Sequence, residues 1–227
     1  MKKLALSFFS LALPFAFAAD DEAGFIPIFN GLNLDGWDGV PGAWKVEEGA
    51  IVCTGRKDGG KNWLIWQGGE PADFELRLEF KFEAGNSGVQ VRSHLIDDKP
   101  FHVQGYQIEI AQSEKMGLWH HSLSPEKYRS HLALAGEKTT YAANGKKTVK
   151  EFGNGKAIKK HCKDGEWNEL VIIVKGTKLI QKINGHVFSE LNDLDKKYKM
   201  KSGLIALQDH GKGTVASFRN IRLKPLD

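Results

Sequence analysis

Cysteine is scarce in this chain: Cys53 and Cys162 are the only two. Neither has a neighbour at CxxC or zinc-ligand spacing, which excludes a disulfide framework, a structural zinc module and a dithiol redox motif. The pair either closes one bridge in an oxidising compartment or stays as two buried thiols; the sequence leaves both open. Proline is also scarce, 7 residues against 25 glycines. Apart from the first residues, no stretch repeats apolar side chains at helical period, which excludes a helical bundle. No later apolar run reaches the roughly 20 residues of a membrane-spanning helix, so no membrane insertion is expected. Charge of one sign is missing too. A formal excess of +4 is too mild for a nucleic-acid partner, and no stretch points to a protein partner.

The first residues read as a targeting segment. Lys2 and Lys3 give a positive start, residues 4–17 are apolar, and Ala16-Phe17-Ala18 has the small-x-small form of a cleavage site. The expectation is a signal peptide over 1–18 and one domain over 19–227, soluble and exported to a periplasm or secreted. No cysteine stands at the cleavage point to take a lipid. Seven lysines fall between Lys146 and Lys163; such a run most often belongs to a solvated loop face.

Glycine-rich punctuation separates many short runs with strand character. Strands are expected near 44–46, 50–54, 63–66, 74–82, 88–93, 106–110, 169–175, 178–183, 186–189, 203–208 and 215–223. Asn184-Gly185 suits a type I′ hairpin turn, and Ser124-Pro125 suits one short helical turn. Evenly spaced short strands predict an all-β protein, either a β-sandwich or a jelly roll.

Period-two alternation then separates core from site. In Asn86-Ser87-Gly88-Val89-Gln90-Val91-Arg92-Ser93 and Gly105-Tyr106-Gln107-Ile108-Glu109-Ile110, the apolar residues take one face. Gln90, Arg92, Gln107 and Glu109 are left to share the other, and Leu207-Gln208-Asp209-His210-Gly211 adds Gln208 and His210. An ordinary solvated face carries Lys, Thr and Glu, whereas these are groups that grip a polar ligand. Blander readings stand beside each: Arg92–Glu109 as a cross-strand ion pair, His210 as a turn cap. Asp209, at opposite parity, fixes a turn. Alternating Glu75, Arg77, Glu79 and Lys81 read as a solvated charged face, with Glu79 nearest to the site. Trp119 and His120 suit a loop covering a sugar, and Trp37, Trp44, Trp63 and Trp66 read as core. Adjacent His120 and His121 cannot both face one metal ion, so no metal site is assigned.

Several segments in order resemble one family. They are Phe29-Asn30-Gly31-Leu32-Asn33-Leu34-Asp35-Gly36-Trp37, Asp73-Phe74-Glu75-Leu76, the two site stretches above, Glu166-Trp167-Asn168, Asn184-Gly185, Leu207-Gln208-Asp209-His210-Gly211 and Phe218-Arg219-Asn220-Ile221. The set is similar to the bacterial 3-keto-disaccharide hydrolases, also described as 3-keto-glucoside lyase/2-hydroxy-glucal hydratase domains. The segment from Leu118 to Lys163 departs from that pattern. The resemblance implies a concanavalin-like jelly-roll β-sandwich of two antiparallel sheets, the concave one holding a small carbohydrate, and chemistry on 3-keto glycosides; no cofactor is expected. Whether a divalent ion assists the enolate stays open.

A ketone at sugar C3 acidifies the C2 hydrogen. The expected machinery is a base for that hydrogen, donors for the enolate oxygen and an acid for the departing glycosidic oxygen. Glu109 is the expected base, Arg92 with Gln107 the enolate donors, and His210 the acid. Gln208, Gln90, Glu79, Trp119 and His120 are the expected sugar-binding groups. Two other readings are a carbohydrate-binding jelly roll that does no chemistry and a two-carboxylate glycosidase using Glu79 and Glu109.

Overall fold

The computed structural model describes residues 22–53, 55, 60–96, 101–121, 129–211 and 213–227. The leader and the Ser124-Pro125 turn lie outside them. The chain folds as two sheets packed face to face. One has ten strands and runs β12 (Lys147–Glu151), β11 (Glu137–Tyr141), β15 (His186–Asp193), β14 (Lys178–Ile183), β13 (Trp167–Lys175), β6 (Phe74–Ala84), β17 (Val215–Pro225), β4 (Ala50–Cys53) and β3 (Trp44–Glu47), with β1 (Ile26–Pro27) added alongside β17. The other has seven, in the order β10 (His131–Leu134), β9 (Gly117–His121), β8 (Val103–Ile110), β7 (Ser87–Leu95), β16 (Leu204–Asp209), β5 (Asn62–Trp66) and β2 (Trp37–Asp38).

The alternation read from the sequence builds the core between the sheets. From β6, Phe74, Leu76, Leu78, Phe80 and Phe82 are all at most 3% exposed, facing Val89, Val91, Ile108, Ile110 and Leu207 of the other sheet. Each such side chain contributes about 1.5–3 kcal/mol on full burial. The Asn184-Gly185 hairpin forms as expected between β14 and β15, both residues at positive φ (48° and 79°).

The expected sandwich of two antiparallel sheets forms, with one local exception, and one expectation needs correction. The exception is β11, which runs parallel to β15. The lysine cluster is not a plain loop. It holds the exposed strand β12, paired on one side with β11 at the end of the sheet order, and a short helix, α1 (Gly155–Lys159), capped by Asn154. Lysines on a terminal strand deter edge-to-edge pairing with other chains. Cys53 and Cys162 remain separate buried thiols, and burial pushes both up to about 11.

Candidate active site

Strand pairing lines up polar groups on the outer face of the seven-stranded sheet. Gln107 of β8 stands between Trp119 of β9 and Gln90 of β7. One step along the strands, Gly88 of β7 stands between Glu109 of β8 and Gln208 of β16. The two rows are tied together through Gln107. Its amide donates to Glu109 Oε2 at 2.5 Å and to Gln208 Oε1 at 3.2 Å, while its own Oε1 accepts from Gln90 Nε2 at 2.9 Å. Ser93 Oγ closes the chain by donating to Gln90 Oε1 at 2.8 Å. Asn86 Nδ2 donates to the second oxygen of Glu109. A buried amide pointing the wrong way would leave polar atoms unpaired, so this network fixes the direction of the Glu109 carboxylate.

Gly88 makes the crossing possible. A Cβ at that position would lie 2.8 Å from Gln107 Cγ and 2.9 Å from the Ile108 carbonyl oxygen. The side chain could shift but the paired strand could not. Gly88→Ala is therefore expected to destabilise the fold by about 1–3 kcal/mol and to swing Gln107 off Glu109, read as a lowered urea midpoint together with reduced activity. Unchanged stability would sink this account of the glycine.

A small cavity of about 140 Å³ opens over the network, lined by Lys61, Asn86, Gln107, Glu109, Trp119, Gln208 and His210. Trp119 is half-buried and meets the His131 ring edge-on at 4.0 Å. His210 has its pKa lowered, first by burial and then by the charge of Lys61. Its resting form at neutral pH is thus the free imidazole. Removing the charge by Lys61→Met is expected to move the His210 pKa up toward the ordinary value of about 6.5. An NMR titration of His210 that stays put would refute this coupling.

Not every expected residue is here. Arg92 is two residues past Gln90, but the pairing of β7 with β8 slips between Val91 and His94, and Arg92 itself sits at φ 46°. This bulge breaks the alternation. The guanidinium turns toward the ten-stranded sheet and binds Asp73 Oδ1 (2.7 Å) and the carbonyls of Ala72 (2.8 Å), Gly176 (2.7 Å) and Met200 (3.2 Å). It neither pairs with Glu109 nor lines the cavity. Glu79 projects from the outer face of the other sheet, bound by Arg219 at 2.6 Å and Asn220 at 3.0 Å. His120 pairs with Tyr106 across β8 and β9, so it shares the face of Tyr106 and not that of Trp119. It is 1% exposed, and burial, with the charge of Arg129 next, depresses its pKa to about 3. Asp209 does fix a turn, accepting from the Gly211 amide at 2.8 Å.

Lys61 and Asn86 are the two cavity residues absent from the sequence-based set. Asn86 was within reach, since it starts the β7 motif. Lys61 was not, because only the pairing of β5 with β16 brings it to His210. Among the described residues no group of three or more His, Cys, Asp or Glu side chains is placed to hold a metal ion.

The comparisons with known proteins agree with this fold. A 3-keto-disaccharide hydrolase of Bacteroides thetaiotaomicron is 25% identical over 91% of this chain and 80% of its own. A candidate glycosyl hydrolase of Parabacteroides distasonis superposes with a TM-score of 0.59 at 20% identity, covering 89% of this chain and 99% of the other. The carbohydrate-binding module CBM66 of Bacillus subtilis shares the fold at a TM-score of 0.52 and 12% identity, covering 83% and 95%. The model of the 3-keto-alpha-glucoside-1,2-lyase-like domain matches residues 24–224, nearly the whole described chain, and the protein belongs to that family.

Proposed function

We propose that this chain cleaves glycosides bearing a ketone at C3, by elimination across C1–C2 followed by rehydration. The observation that carries the reading is a single carboxylate, Glu109, aimed by two amides into a cavity that also presents Lys61 and His210. A carboxylate pair for ordinary glycoside hydrolysis needs two carboxyl groups roughly 5–9.5 Å apart. Glu79, the expected second member, faces away on the other sheet. A platform that only binds would be expected to show a broad aromatic surface, whereas this cavity has Trp119 alone among polar groups.

In this scheme Glu109 removes the C2 proton and the electron pair moves into the C3 carbonyl. The Lys61 ammonium takes the place first given to Arg92 and stabilises the enolate oxygen. The enolate collapses with loss of the C1–O bond, and Glu109 returns its proton to the departing oxygen. Water then adds at C1 of the resulting enone. His210, neutral at rest, takes the water proton and delivers it to C2, which suits its lowered pKa better than acting as the first acid. Gln107, Gln90, Gln208 and Asn86 bind hydroxyls or hold Glu109 in place.

The test is to incubate the protein with a 3-keto glucoside and with its unoxidised parent. Release of the aglycone from the ketone only, with deuterium from the solvent appearing at C2, is expected. Equal turnover of both, or of neither, overturns the reading. We also propose export after cleavage behind Ala18, on the strength of the Lys2-Lys3 start and the apolar run. N-terminal sequencing of exported protein should begin at Ala19, and an intact Met1 would refute it.

A further inference from the structure

A second cavity, larger than the one over Glu109, lies away from the chemistry. About 800 Å³ in volume, it lies on the outer face of the ten-stranded sheet, on the opposite side of the sandwich from Glu109. Its size falls within the range of roughly 300–1,000 Å³ usual for ligand sites. Three of the sequence motifs that take no part in the proposed reaction converge there, through Trp167, Asn184 and Arg219-Asn220.

We propose that this cavity is a second, non-catalytic binding site for a neutral saccharide. The strand β17 slips register between Arg219 and Arg222, and Asn220 sits at φ 52° within the slip. Such a bulge re-aims side chains. Here Arg219 and Asn220 both reach Glu79, and the Arg219 guanidinium lies 4.0 Å over the Trp167 ring. Arg219 uses Nε for Glu79; its two terminal nitrogens carry no hydrogen bond among the described residues. Arg222, held by Glu22 at 2.6 and 2.8 Å, approaches Glu169 at 3.8 Å.

The charge balance selects the ligand class. Glu22, Glu79 and Glu169 face Arg219 and Arg222, and Arg77 reaches Glu22 at 3.4 Å, so no net positive charge is left over to hold a phosphate or a carboxylate. Sugar hydroxyls both donate and accept, so they match a wall of guanidinium, amide and carboxylate groups beside the Trp167 indole. Glu79 is engaged by two donors, which suits holding a ligand rather than abstracting a proton.

The probes are cellohexaose, maltohexaose and laminarihexaose, titrated against the full chain with tryptophan fluorescence and calorimetry as readouts. Saturable binding of at least one is expected for the wild type and for Glu109→Gln. Trp167→Ala and Arg219→Ala should each weaken that binding by roughly tenfold or more, while turnover of a 3-keto glucoside stays unchanged. Should Trp167→Ala fail to fold, Arg219→Ala alone decides. No binding of any probe, binding that survives both substitutions, or binding lost in Glu109→Gln overturns the proposal. The turnover measurement is separate, so failure of this site and failure of the proposed reaction are told apart.

Discussion

Glu109→Gln is expected to lower turnover of a 3-keto glucoside by about 10²–10⁴-fold, the usual contribution of a positioned proton-transfer group. The substitution keeps volume and one acceptor oxygen, to which either Gln107 or Asn86 can still donate, while the other amide must turn from the new NH2 group. Substrate binding should therefore survive, and the loss should fall on kcat. Exchange of the C2 hydrogen with deuterated solvent should vanish in the same protein. Arg92→Lys supplies the contrast. Arg92 is bound to Asp73 and three backbone carbonyls away from the cavity, so its replacement should lower stability and leave KM alone. Near-normal turnover in Glu109→Gln would mean that the carboxylate only holds the amide network, and His210 would become the candidate base.

The second large effect is expected behind the site, between the sheets. Arg129 donates to Asp193 at 2.5 Å and to Asp195 at 3.3 Å, lies 4.2 Å over the Tyr141 ring, and is as buried as its partners. Tyr106 gives its hydroxyl proton to the same Asp193 oxygen at 2.6 Å and accepts from the Met200 amide at 3.1 Å. Burial, and then the Asp193 charge, push the Tyr106 phenol far above its ordinary range, so it stays a donor. Arg129→Met would leave two carboxylates buried without a counter-charge. A loss of about 3–5 kcal/mol is expected, read from urea denaturation. Adding Asp193→Asn to that variant should recover part of the loss, since it removes one of the stranded charges. A single-variant loss under about 1 kcal/mol would show that the carboxylates protonate or find other donors at little expense.

The cluster also bears on the site. Tyr106 and His120 alternate along their strands with Gln107 and Trp119, whose side chains leave the opposite face. Disorder in the buried cluster would thus reach the cavity through the backbone of β8 and β9.

Strand character, the Asn184-Gly185 hairpin and the outward set Gln90, Gln107, Glu109 and Gln208 were legible in the sequence alone. The reason is that the side-chain period of a strand is local: five apolar residues alternating along β6, or Gln107 and Glu109 flanking Ile108, assign faces without reference to anything distant. Four strands between 117 and 151 escaped notice. The exposed β12 has no apolar face, and β11 is held by a parallel partner about 50 residues away in the chain. The bulge at Arg92 escaped for a related reason. Parity holds only while the ladder stays in register, and it breaks where the carbonyls of Ala72, Gly176 and Met200 with Asp73 collect the guanidinium. Tertiary structure alone decided that Glu79 belongs to the other sheet, that Lys61 meets His210, and that Gln107 crosses over Gly88 to reach Gln208. Each of these depends on which strands pair and in what register, and that is set by packing between segments far apart in sequence.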